Sequence, residues 1–81
     1  MPLIFRSGTF KFFFYSNEGN PREPLHVHVR AGGANAKIWL DPAICVAESE
    51  GFNSKELSAI IRLVMENHSR IRQAWHEHFG D

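Results

Sequence analysis

The chain is predicted to take an α+β fold: a mostly antiparallel, three- to four-stranded meander followed by one long C-terminal helix packed on one sheet face. Three observations carry this. Short runs of aromatic and β-branched residues fill the first half of the chain. Clusters of turn formers separate these runs by hairpin lengths, which favours antiparallel pairing. Beyond residue 51 the apolar period changes from two to 3.6. The meander is expected over 1–48 and the helix over 52–80, within a single domain spanning 1–81.

Leu3-Ile4-Phe5-Arg6 is a short candidate strand, ended by Ser7-Gly8. Phe10 to Tyr15 is a strand because aromatic side chains favour a pleated, half-buried surface. Residues 16–21 are dense in turn formers, so the chain reverses there. Pro24 holds Glu23 extended, and Leu25 to Arg30 alternates apolar with polar. Gly32-Gly33 makes the next turn. Ala36 to Leu40 is a third strand, broken by Asp41-Pro42, and Ile44 to Ala47 is a candidate fourth.

The helix start is well marked. Asn53 and Glu56 have the spacing of a capping box, with Phe52 and Leu57 at the positions of a hydrophobic staple. Leu57, Ile60, Ile61, Val64, Ile71, Trp75 and Phe79 then fall within about 60° of one line on a helical wheel. Gly80 supplies the stop. Asn67-His68-Ser69 are poor helix formers and mark where a kink would come. A straight helix this long spans about 39 Å, roughly twice a six-residue strand, so part of it should overhang the sheet or meet a partner.

Composition narrows the function. The chain has 81 residues, nine basic and nine acidic, for a formal net charge of zero. That excludes a uniformly basic nucleic-acid binder and leaves room for a local basic face. Cys45 is the one cysteine. An internal disulfide is excluded, a reducing cytoplasm is the expected home, and Cys45 reads as a small buried residue. No apolar stretch approaches the ~20 residues of a membrane span. The first residues lack a basic segment before an apolar run, so no signal peptide is expected.

Strand alternation sorts the side chains onto two faces. Phe10, Phe12 and Phe14, then Leu25, Val27 and Val29, then Ala36, Ile38 and Leu40 form an apolar surface for the helix. The opposite face carries Lys11, Phe13 and Tyr15, then His26, His28 and Arg30, then Lys37 and Trp39. If the strands are neighbours in register, aromatics stand there among histidines and cations. Such a mixture suits single-stranded nucleic acid, since bases stack on rings while cations follow phosphates. The plainer alternative is a second packing face, buried against a symmetric partner.

His26-Val27-His28-Val29 is the sharpest local feature. Two histidines two apart on a strand point the same way, with Cβ atoms roughly 6.5–7 Å apart. Three readings stay open. His26 and His28 are candidate catalytic acid–base groups, since imidazole gives and takes protons near neutrality. In that reading Arg30 and Lys37 steady the phosphate and Phe13, Tyr15 and Trp39 stack bases. The pair is also a candidate metal site, needing a third ligand from Glu23, His76 or His78. Otherwise both are half-exposed residues with satisfied hydrogen bonds. His68 and His78 fall on the apolar stripe of the helix and read as packed groups, with His76 on its flank. Ile71, Trp75 and Phe79 read as core or as a partner interface.

Pro2-x-Ile4-x-Arg6, Phe10-x-Phe12, Tyr15-Ser16-Asn17-Glu18, Glu23-Pro24-x-His26-Val27-His28-Val29 and Ala36-Lys37-Ile38-Trp39-Leu40 together resemble the bacterial domain-of-unknown-function family 4160. Gly51-Phe52, Glu56-Leu57 and Trp75-His76-Glu77 extend the resemblance over essentially the whole chain. It implies a short bacterial protein, often encoded beside a second small gene, as in toxin–antitoxin pairs. The tract from His26 to Ile61 is also loosely similar to small ribonuclease toxins of the Hic type, which carry a catalytic strand histidine. The first helix of that fold is missing here.

The leading expectation is therefore an endoribonuclease-like toxin that cleaves RNA through His26 and His28 and is held by a small antitoxin-like protein. The alternative is a non-catalytic interaction module that forms homo-oligomers or docks a neighbouring small protein. A metal-binding protein using the His-Val-His strand is third. Neither a cofactor nor a membrane association is expected.

Overall fold

The structure is a computed structural model and describes residues 3–15 and 23–80. Five strands, β1 (Leu3–Ser7), β2 (Phe10–Phe13), β3 (His26–Ala31), β4 (Ala34–Trp39) and β5 (Cys45–Glu50), form one antiparallel sheet in chain order. The candidate strands at 3–6 and 44–47 both form, so the meander has five strands rather than three or four. The turn expected over 16–21 lies outside the described residues. Gly32 and Gly33 close the β3–β4 hairpin, with Gly32 at φ +58, as a two-residue turn requires.

The expected single helix is two: α1 (Ser54–Glu66) and α2 (His68–Phe79). Asn67 lies between them at φ −112 and ψ 19, and its side-chain Nδ2 donates to the Leu63 carbonyl at 2.8 Å. Such local side-chain bonding competes with regular helix. Main-chain bonds still bridge the joint, from Asn67 N to Leu63 O and from Ile71 N to Asn67 O. The longest dimension of the molecule is 33 Å, less than the ~39 Å a straight helix of that length needs.

The capping box forms as expected. Asn53 Oδ1 accepts from Glu56 N at 2.8 Å, and Glu56 Oε1 accepts from Asn53 N at 2.9 Å. Phe52 and Leu57 both pack against the core. Gly80 ends α2 in the left-handed conformation.

Both helices cover one sheet face. Phe12, Phe14, Val27, Val29, Ile38 and Leu40 meet Ile60, Val64, Ile71 and Trp75 in a buried cluster. Burial of this apolar area is the main stabilising term. Ile71 and Trp75 thus lie in the chain's own core, with Phe79 packed against Trp75 and Phe14. Two burial expectations are corrected. His78 is exposed and His68 half-buried, because Ile71 and Trp75 fill the core side of α2 and leave these two at its margin. Cys45 is exposed, because β5 is an edge strand that the helices leave largely uncovered.

Candidate functional site

Register decides what stands on the face away from the helices. In antiparallel ladders, directly paired residues project to the same side. Phe13 pairs with His28, and His28 with Lys37. His26 pairs with Trp39. Strand alternation and this pairing bring the expected mixture of rings and cations together.

The two histidines differ sharply. His26 has 0% exposure. Its ring lies 5.5 Å from Trp39, 5.3 Å from Trp75 and 5.2 Å from His28, centroid to centroid. Its Nδ1–H donates to the Pro24 carbonyl at 2.9 Å. A carbonyl only accepts, so Nδ1 carries the proton in the neutral ring. His28 is half-buried. It stacks on Phe13 at 5.8 Å and meets the edge of Tyr15 at 4.4 Å.

The remaining expected residues take distinct places. Phe13 is buried, with 4% exposure, Tyr15 at its edge and the Arg30 guanidinium 5.5 Å from its centroid. It supports the face rather than offering a ring to a base. Tyr15 and Trp39 are half-buried and Arg30 is exposed. Lys37 Nζ bonds Glu23 Oε1 at 2.7 Å and sits 4.4 Å over the Trp39 ring. An ammonium over an indole face is a favourable cation–π placement.

Sequence reasoning missed Arg6 and the role of Glu23. Arg6 pairs with Lys11, and Lys11 with Arg30, so β1 adds a cation to the same face. The signal was present: with Phe5 inward, alternation turns Arg6 outward. In the sequence Glu23 suggests only a metal ligand, and nothing local to it announces its partner 14 residues away.

Among the described residues, no three His, Cys, Asp or Glu side chains converge as a metal site requires. No helix there is long and apolar enough to cross a membrane. The model of a family described as a domain of unknown function, DUF4160, matches residues 9–76. No curated protein and no solved structure matches the chain.

Proposed function

The chain belongs to the DUF4160 family, and from that premise we propose that the helix-free sheet face binds single-stranded RNA and cleaves it through His28. The carrying observation is His28 itself, a half-buried imidazole held between Phe13, Tyr15 and His26. These ring contacts set its orientation, and its partial exposure is what a substrate would use. Positioned imidazoles are effective proton-transfer groups at neutral pH.

The chemistry is a transesterification. His28 takes the proton of a ribose 2′-hydroxyl, whose oxygen attacks the adjacent phosphorus. The bond to the 5′-oxygen breaks, and the imidazolium returns the proton to that oxygen. The products are a 2′,3′-cyclic phosphate and a 5′-hydroxyl. Tyr15 and Trp39 offer partly exposed rings for stacking, and Arg30 steadies charge on the phosphate. His26 is a positioning residue here, because burial keeps it from the substrate. Uncontrolled cleavage would arrest growth, so this reading includes a toxin's role and a small protein partner that covers the face.

Purified chain is incubated with end-labelled RNA beside the His28→Ala variant. Cleavage by the natural chain alone, leaving cyclic phosphate ends, is expected. Equal cleavage by both, or by neither, overturns the reading. Induced expression of both chains at matched levels then tests growth arrest.

A second reading, docking without turnover, is favoured by a groove of about 390 Å³ between β1 and α2. Leu3, Ile4, Arg70, Gln73, Ala74 and Glu77 line it, and Leu3 is 50% exposed. A self-association lost in Leu3→Glu, measured by light scattering, would support it.

A further inference from the structure

The sheet face carries an unusual row beside His28. Arg6 on β1, Lys11 on β2 and Arg30 on β3 are paired directly across adjacent strands. All three are exposed. Neighbouring strands are about 4.8 Å apart, so the three cations cover roughly 10 Å. Like charges directly opposite one another destabilise a sheet. No carboxylate among the described residues pairs with any of the three. The same row continues through Asn35 to Glu50 on β5, and Glu48 stands opposite Lys37 in the next row. A molecule of zero net charge thus has one face polarised, basic over β1–β3 and acidic at β5.

We infer that Arg6, Lys11 and Arg30 form a track for the phosphodiester backbone of a single strand, running across β1–β3 beside His28. A polyanion relieves the repulsion that folding leaves in place. The acidic β5 edge repels the same polyanion and confines it to the basic half. Arg30 links the track to the ring cluster, since its guanidinium lies over Phe13, the ring on which His28 stacks. Lys37 contributes less than its charge suggests, because Glu23 already holds its ammonium. The track rests on the reading of this face as an RNA surface, and not on cleavage.

The test is the salt dependence of binding. Fluorescence anisotropy follows a labelled oligouridylate with the full chain between 50 and 200 mM salt. Each neutralised phosphate of a single strand adds about −0.7 to the slope of log affinity against log salt. Three cations contribute about −2, or roughly a 20-fold loss over that range. The variant Arg6→Gln/Lys11→Gln/Arg30→Gln is expected to bind more weakly, with a slope shallower by about 2. Arg62→Gln, which removes an exposed charge from α1, should leave the slope unchanged. Circular dichroism checks that each variant is folded.

An unchanged slope in the triple variant overturns the track, as does failure of the natural chain to bind. Tighter binding of an oligoaspartate of equal charge assigns the row to an acidic protein segment and also overturns it. His28→Ala separates this inference from the proposed chemistry. Cleavage lost with the slope retained supports both. A salt-dependent track in a natural chain that never cleaves leaves the track standing and removes the ribonuclease.

Discussion

His26 and His28 stand ring against ring, 5.2 Å apart and at 85°, yet only His28 reaches solvent. Their local sequence environments are nearly identical. The difference comes from α2, whose Trp75 reaches His26. His26→Ala should therefore lower stability by about 2–4 kcal/mol, through the cavity left among rings and the lost bond to Pro24. His28→Ala should cost under about 1.5 kcal/mol while removing cleavage. Urea unfolding of both variants checks this, and equal losses would mean that both histidines are structural.

Asp41 and Arg72 join the β4–β5 connection to α2. Arg72 donates to both carboxylate oxygens, at 2.8 and 3.3 Å, and also contacts His68 Nε2 at 3.3 Å. The hydrogen bond from Arg72 holds the Asp41 carboxyl below its usual 3.8; burial opposes this, and attraction to Arg72 and His68 adds to it. A depressed carboxyl stabilises the fold above its unfolded value and loses that contribution as pH falls through the folded one. Both side chains are about two-fifths exposed, so the pair contributes no more than about 1 kcal/mol. Asp41→Asn should lower stability by that amount at pH 7. Unfolding curves should show the difference from the natural chain closing as pH falls below 3.8.

Asn53→Ala removes one half of the capping box at the start of α1. The expected loss is about 1 kcal/mol, read by chemical denaturation. Asn53→Asp should retain most of the stability, because aspartate accepts the same bond from Glu56 N.

Gly51 turns the chain from β5 toward α1 at φ +91, and a Cβ there would lie 2.9 Å from the Ala34 Cβ. Strain and collision act together. Gly51→Ala should cost more than about 1 kcal/mol, with a matching fall in melting temperature. A neutral result would show that the β5–α1 connection can move aside.

Lys11→Gln removes the central cation of the Arg6–Lys11–Arg30 row. Stability should rise by about 0.2–1 kcal/mol at low salt. Thermal melts at increasing salt should show the gain shrinking, as screening weakens the repulsion in the natural chain.

The fold was legible where local chemistry and pattern agreed. Asn53 and Glu56 announced the first turn of α1, Gly32-Gly33 announced a hairpin, and alternation sorted Phe12, Val27 and Ile38 from Lys11, His28 and Lys37. Apolar periodicity alone misled past Asn67. The phase of the stripe survives a joint that one side-chain hydrogen bond to Leu63 is enough to favour. The exposure of Cys45 is not legible locally, because nothing in its own neighbourhood says that β5 is an edge.

The sequence by itself determined the α+β class, the order of strands before helices, the cap and the composition of each sheet face. Those follow from spacing and side-chain type, which act over a few residues. Only the tertiary structure decided that His26 is sealed and His28 open, that Lys37 is held by Glu23, and that Arg6 joins Lys11 and Arg30. Each depends on strand register or on α2 reaching one end of the sheet. Burial and charge pairing are properties of neighbours in space, and the chain brings those neighbours together only when it folds.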